Sequence, residues 1–279
     1  MTTIDAGQWL AGLNETIFPE APLTADAGGT FAGQFRRRVL SSVYQPVLST
    51  VDGATVAHSA RVRVSFEGQP EAPAGVFAIT GPDSLVVQLD RSARTLHALN
   101  YYPKARATWR LFLRVQARLV ESVGSGHGRV FEGILGRLGV PTKDVVIELP
   151  RHPNEDPALY ARALLSYRSL GYRVASECLD LDDPLLSGRY EVIPDIVAVD
   201  PRWLPDRSAL DRLIGQIRHR GATALVHRIE SLEHAEHAVA AGADLLQGFH
   251  LGRPARRPET VKLDTDLAKL HRSARETVA

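Results

Sequence analysis

The residues that could do chemistry in this sequence stand at or just after the ends of its apolar runs. They are Ser59, Arg61, Arg63, Arg114, Glu148, Glu177, Cys178, Ala198, Asp200, His227, Glu230 and Gln247. Hydrolysis assisted by divalent cations needs several oxygen ligands that converge on the ions, together with a base for the attacking water. This set mixes carboxylates with arginine, serine and cysteine, so it is not the carboxylate cluster that such a reaction requires.

The apolar runs themselves predict strands that alternate with helices. Strands are predicted at 55–66, 110–115, 145–150, 172–178, 196–200, 222–229 and 243–249, and helices at 84–102, 128–140, 156–171, 208–221 and 231–242. Such alternation is typical of βα units around a parallel sheet. About eight strands in about 250 residues favour an α/β fold of the modified TIM (β/α)8 barrel type over an open sheet. In a barrel, the residues above would meet at the carboxyl ends of the strands.

The beginning of the chain departs from a regular barrel. Residues 43–66 predict an antiparallel hairpin that turns at Asp52-Gly53, and residues 68–83 predict a loop. Residues 31–40 predict a helix with Phe31, Phe35 and Val39 on one face. We therefore divide the chain into an N-terminal extension (1–30), a barrel (31–258) and a helical C-terminal tail (259–279).

Composition excludes several classes of protein. The chain has 279 residues with 33 basic and 32 acidic side chains, so it lacks the cationic excess of a nonspecific nucleic-acid binder. A single cysteine excludes an internal disulfide and a cysteine-based zinc cluster. No apolar run reaches the roughly 18–20 residues of a membrane span, and no secretory signal begins the sequence. We expect a cytoplasmic protein.

Several motifs carry a family resemblance. These are YQPVLS (44–49), VVIELP (145–150), YRVASE (172–177), IVAVD (196–200), VHRIES (226–231) and GADLLQGFHLGRP (242–254). In order and spacing they resemble the EAL domain, a modified TIM barrel that hydrolyses the bacterial second messenger cyclic di-GMP. The resemblance covers about residues 35–258.

The resemblance implies that most metal-binding and catalytic positions are changed. The signature Glu-Ala-Leu falls on Ser59-Ala60-Arg61, and the metal-binding asparagine of the third strand falls on Arg114. Of the paired aspartates after the fifth strand, the second falls on Cys178. The lysine of the sixth strand falls on Ala198, and the catalytic glutamate of the seventh falls on His227. The expected catalytic set is therefore degenerate.

A remnant of the acidic site persists in the same resemblance, comprising Glu148, Glu177, Asp200 and Glu230. An arginine is effectively always charged, so Arg114 would repel a dication. We expect Arg114 to form ion pairs with Glu148 and Glu177 in place of the metal, and we expect no metal or other cofactor.

The positions that contact the nucleotide or shape its pocket in the family are matched in this sequence. They fall on Gln45, Arg63, Gln247, Gly248, Phe249 and Pro254. By resemblance, Arg63 would pair with a phosphate. Phe249 and Pro254 would form a wall of the pocket for a guanine base. These residues either retain a ligand or only hold the barrel mouth together. Arg61 replaces the signature leucine and either attracts phosphate or blocks the pocket.

The sequence thus predicts a regulatory protein of cyclic di-GMP signalling that does not hydrolyse the nucleotide. It would bind a protein partner, cyclic di-GMP without metal, or both, and the resemblance also allows a homodimer. The alternative is a weak cyclic di-GMP phosphodiesterase with a rebuilt Mg²⁺ or Mn²⁺ site.

Overall fold

The strands of the chain form a single sheet that closes on itself. A computed structural model describes residues 6–263 apart from 79–81, 123–125, 127, 151–155, 189–190 and 205. The strands in this part are β1 (Leu23–Ala25), β2 (Phe31–Phe35), β3 (Arg38–Ser49), β4 (Thr55–Phe66), β5 (Gln69–Glu71), β6 (Arg110–Arg114), β7 (Val145–Leu149), β8 (Arg173–Cys178), β9 (Ile196–Val199), β10 (Thr223–Val226) and β11 (Leu245–Leu246). Their order is β1-β2-β3-β11-β10-β9-β8-β7-β6-β4-β5, and β3 also pairs with β4. The predicted barrel is confirmed.

Closure depends on the long hairpin of β3 and β4. The two strands are antiparallel over most of their 12 residues each, and Gly53 in the connecting turn has a φ of 68° that favours glycine. β3 is also antiparallel to β11, whereas the pairs from β4 and β6 round to β10 and β11 are parallel. The predicted opening hairpin is therefore confirmed as the departure from a regular barrel.

The barrel interior is layered because side chains alternate along a strand. An apolar layer fills the interior below the mouth and consists of Val47, Ala57, Phe112, Val146, Ala175, Ile196 and Leu225. Two residues further along the parallel strands, the register places Arg114 beside Glu148 and Glu177 beside Ala198. The same alternation that buries the apolar layer thus brings the polar residues to one end.

Helices cover the outside of the barrel. They are α1 (Ala6–Thr16), α2 (Pro73–Ala78), α3 (Asp83–Tyr101), α4 (Ala117–Ser122), α5 (Arg129–Arg137), α6 (Pro157–Ser169), α7 (Arg207–His219) and α8 (Leu232–Ala240). The helices predicted at 84–102, 128–140, 156–171, 208–221 and 231–242 are confirmed as α3, α5, α6, α7 and α8. None of the helices in the described ranges combines the length and apolarity needed to cross a bilayer.

Residues 31–40 are not a helix, contrary to the prediction. They form β2, a turn at Arg36 and Arg37, and the first residues of β3. The Asn100 side chain accepts a hydrogen bond from the Phe31 N–H and donates one to the Phe31 carbonyl. Pairing with β3 and with this asparagine decides the structure, because both are contacts that local periodicity does not encode.

Two further segments differ from the predictions. The loop expected at 68–83 contains β5 and α2. The tail is not helical over 259–263: it lies extended along β4, where Thr55 exchanges hydrogen bonds with Val261 and Leu263 N–H donates to the Gly53 carbonyl. Residues 264–279 lie outside the described part of the chain.

Candidate functional site

The mouth of the barrel holds a cleft with two arms that share Arg61, Arg114 and Pro254. The first, which we call the α3 arm, has a volume of about 420 Å³ and lies between α3, α2 and β4. The second, the β10 arm, has a volume of about 450 Å³ and lies over the ends of β8, β9 and β10. A shallow pit between them, lined by Glu148 and Ala198 among others, reaches down to the apolar layer.

Glu148 lies in this pit and is already bound by two protein donors. The Ser59 hydroxyl donates to Oε1 at 2.9 Å, and Arg61 Nη1 donates to Oε2 at 3.0 Å. Burial by itself would raise the pKa of Glu148, but the charges of Arg61 and Arg114 and the Ser59 hydrogen bond together lower it. Glu148 is therefore held as a carboxylate by side chains of this chain, and both oxygens are engaged.

The cation that pairs with Glu148 is Arg61, so the expectation that Arg114 would do so is wrong. Arg114 forms no ion pair with Glu148 or Glu177 and is exposed, although its charge lowers the pKa of both carboxyls. The physical reason is competition for acceptors. Ser59 and Arg61 bond both oxygens of Glu148, and His227 bonds one oxygen of Glu177, so other donors of this chain hold the two carboxylates.

The β10 arm contains a cluster of interacting acids and bases. His227 Nε2 lies 3.0 Å from Glu177 Oε1, and this hydrogen bond is the main cause of the lowered pKa of Glu177. Asp200 is 2% exposed, and Arg202 Nη2 donates to it at 2.8 Å. Burial would raise the pKa of Asp200, but the hydrogen bonds from Arg202 outweigh it and the pKa is lowered. Arg228, at a φ of 62°, approaches the same carboxylate to 3.9 Å.

Glu177, Asp200 and His227 each offer one ligand atom, and these atoms lie within 4.8 Å of one another. Two carboxylates and an imidazole suit a single divalent cation. Glu148 suits a cation less well, because Ser59 and Arg61 already bond both of its oxygens. The triad is thus the part of the mouth that suits a metal best, although Arg202 and His227 already satisfy its carboxylates.

Cys178 does not reach the mouth. It is fully buried in the apolar cluster outside the barrel strands, where its thiol donates to the Asp180 carbonyl, and burial raises its pKa. Its neighbour Glu177 faces inward instead, because successive side chains of β8 point to opposite faces.

All six residues expected to contact a nucleotide line the cleft. Arg63 lines the α3 arm, Pro254 lines both arms, and the other four line the β10 arm. Gln45 Nε2 donates to the Gly252 carbonyl at 3.0 Å, and the Nε2 atom of the buried Gln247 has no hydrogen-bond partner in the described structure. The structure therefore brings these six residues to one cleft, and their contact with a nucleotide stays a prediction.

Gly248 and Phe249 shape the rim of the β10 arm. A Cβ atom at Gly248 would lie 2.0 Å from the Ile229 carbonyl oxygen, so only glycine fits this close approach of two backbone segments. Phe249 is 49% exposed, and the guanidinium of Arg253 stacks over its ring at 5.0 Å. An exposed aromatic ring at the rim offers a surface on which a base can stack.

The α3 arm contains residues that the sequence analysis did not identify. Arg94 and Asp90 form an ion pair at 2.6 Å, with side chains 4% and 2% exposed, and the Gln116 N–H donates to Asp90. His97 lines the same arm, and burial lowers its pKa to about 3. The signal was an aspartate and an arginine four residues apart on a buried helix face, where they can form an ion pair.

Comparison with known proteins identifies the architecture. The family model of the EAL domain matches residues 30–254. Among solved structures, YkuI of Bacillus subtilis, in complex with cyclic di-GMP and calcium, superposes with a TM-score of 0.68 at 20% identity, covering 86% of this chain and 61% of that one. The chain therefore spans less than two thirds of the length of YkuI.

Two further structures were solved with cyclic di-GMP bound. The FimX EAL domain of Xanthomonas citri gives a TM-score of 0.65 at 17% identity and covers 79% of this chain and 90% of that one. A standalone EAL protein of Vibrio cholerae O395 gives 0.66 at 18% identity and covers 79% and 95%. At these identities the likeness establishes the fold. Among curated proteins, none matches this sequence significantly.

Proposed function

The chain belongs to the EAL domain family, and on that premise we propose that its barrel mouth binds cyclic di-GMP without hydrolysing it. The observation that carries this proposal is the engagement of Glu148 by Ser59 and Arg61. A cation would have to displace a charged guanidinium that already bonds both oxygens of Glu148, and Glu177, the other acid of the central pit, is bonded by His227. Without such a cation, the mouth lacks the means to activate water that metal-assisted hydrolysis needs.

Binding is supported by the charges that remain. Arg63 and Arg114 face the cleft, are exposed, and have no acidic partner among the described residues. Guanidinium groups bind phosphate oxygens through paired hydrogen bonds. Structures of the same fold from Xanthomonas citri and Vibrio cholerae contain cyclic di-GMP. We therefore assign the cyclic dinucleotide as the ligand of this cleft.

A receptor that does not hydrolyse its ligand transmits the signal through the other molecules that it binds. The proposal therefore includes a protein partner whose affinity for the barrel depends on the occupancy of the mouth, and it makes the chain a regulatory protein of cyclic di-GMP signalling.

Calorimetry with cyclic di-GMP in excess EDTA tests the proposal. We expect binding in about the micromolar range that EDTA does not abolish, because no metal ion contributes to it. Arg63→Ala should weaken binding about tenfold or more, since a hydrogen bond to a charged group contributes about 1.5–3 kcal/mol. Arg137→Ala is the matched control, because Arg137 is an exposed arginine outside both arms. No heat of binding at high nucleotide concentration would contradict the assignment.

A metal-dependent phosphodiesterase is the second candidate, and the triad of Glu177, Asp200 and His227 favours it. Incubation of cyclic di-GMP with Mg²⁺ or Mn²⁺ distinguishes the two functions. We expect no linear product above the buffer blank. Product that requires the metal and disappears in Glu177→Gln would establish the enzyme and remove the first proposal.

A further inference from the structure

The α3 arm is strongly cationic for its size. Four arginines and one aspartate are among the residues that line it. Glu148 neutralises Arg61, and Asp90 neutralises Arg94. Arg63 and Arg114 have no such partner in the described part of the chain. The arm thus presents about two uncompensated positive charges to a ligand.

Arg94 adds a hydrogen-bond donor from the helix side. Its side chain is 4% exposed and is fixed by Asp90 and by the ring of Phe131, 5.2 Å from the guanidinium carbon. Its Nη1 atom is buried and has no hydrogen-bond partner. A buried donor without an acceptor costs free energy, which an anionic ligand would recover.

These charges match a phosphomonoester better than a phosphodiester. A phosphomonoester carries a charge of about −1.5 to −2 at neutral pH and offers three acceptor oxygens. Each phosphate of a cyclic dinucleotide is a diester, with one negative charge and two such oxygens. Opening one diester gives a linear dinucleotide with a terminal phosphate, which would satisfy both Arg63 and Arg114.

Resting on the proposed nucleotide binding, we infer that the α3 arm is a phosphomonoester site. The chain therefore binds the linear guanine dinucleotide with a 5′-phosphate more tightly than it binds cyclic di-GMP. This makes the protein a receptor for the opened form of the messenger. The apolar side chains of Phe77, Pro73 and Pro254 line the same arm and are placed to contact the nucleoside that carries the phosphate.

Calorimetry with four ligands in excess EDTA tests this inference. The ligands are cyclic di-GMP, the 5′-phosphorylated linear dinucleotide, the same dinucleotide without its terminal phosphate, and inorganic phosphate. We expect the phosphorylated linear form to bind at least about tenfold more tightly than both other dinucleotides. Inorganic phosphate should bind weakly and compete with the linear form.

Substitutions test which residues cause the preference for the linear dinucleotide. Arg114→Gln removes one of the two uncompensated charges at an exposed position, so the protein should stay folded, which thermal unfolding checks. The preference for the linear form should then fall to about twofold or less. Arg137→Gln, the same change outside the cleft, should leave the preference intact.

The outcomes separate the two proposals. If cyclic di-GMP binds and the linear form binds no more tightly, the phosphomonoester site is wrong and the nucleotide receptor stands. The same holds if removal of the terminal phosphate leaves the affinity unchanged. If none of the dinucleotides binds, both proposals are wrong.

Discussion

The two arms of the cleft meet at Arg61 and Arg114 but differ in whether their charged side chains are paired. In the β10 arm, Glu177 bonds His227 and Asp200 bonds Arg202. In the α3 arm, Arg63 and Arg114 have no acidic partner among the described residues, and the one aspartate is already bound to Arg94. Two acids of the β10 arm are therefore paired within the chain, whereas the α3 arm leaves Arg63 and Arg114 available to an anion from outside.

The difference follows from which strands supply each arm. β7, β8 and β9 end in carboxylates that are half-buried or buried, and such groups are stable only with a partner. Arg63 of β4 and Arg114 at the end of β6 have long side chains that reach water, so they need none. The residues at one end of a barrel can thus include one group whose charges are paired with each other and another group whose charges are free to bind an anion.

Breaking the buried pair of the α3 arm should have the largest effect. Asp90→Asn leaves the nearly fully buried Arg94 uncompensated, and we expect a loss of about 3–5 kcal/mol in the free energy of unfolding. Denaturant unfolding measures it. Arg118→Ala removes the exposed ion pair with Asp83 and should cost about 1 kcal/mol or less. Equal losses in the two variants would contradict the role assigned to burial.

His97 makes the stability of the α3 arm sensitive to acid. Its pKa is about 3 in the folded protein against 6.5 for a free side chain, so the unfolded state takes up a proton first as the pH falls. The stabilisation is present above pH 6.5 and should decline by about 2 kcal/mol by pH 5. His97→Asn should remove this part of the pH dependence. Denaturant unfolding of the wild type and of His97→Asn at pH 8 and pH 5 measures this difference. An equal loss of stability in the two proteins would contradict the role of His97.

Arg61→Leu tests the boundary between the arms. Glu148 would lose its ion pair and keep Ser59, so we expect a cost of about 1–2 kcal/mol at neutral pH. The pKa of Glu148 is lowered in the folded protein, so its contribution is lost as the pH falls through that pKa. Variant and wild type should therefore converge in acid. A constant difference across the pH range would mean that lost packing, not charge, causes the effect.

The smallest effect is expected in the β10 arm. His227→Phe removes the hydrogen bond that lowers the pKa of Glu177, so this pKa should rise, which NMR titration measures. Glu177 is about a third exposed, so the stability change should stay below about 1 kcal/mol. The variant should also lose less stability than the wild type on acidification. An unchanged Glu177 titration would show that His227 is not its partner.

Much of the fold was predictable because apolar alternation and helical periodicity are local. β4 and the five helices α3, α5, α6, α7 and α8 lie where the patterns placed them. Residues 31–40 show the opposite case. Phe31 and Phe35 fit a helical face, but pairing with β3 and the bonds to Asn100 give a strand.

The sequence by itself determined the barrel and the family, and strand alternation placed the polar residues of β6, β7 and β8 at one end of the barrel. Only the tertiary structure decided which charges meet. Arg61 and Arg114 stand at equivalent levels of β4 and β6, and no local pattern says which one reaches Glu148. Partner choice depends on distances across strands and on competition for a few oxygens, which exist only once the barrel has closed.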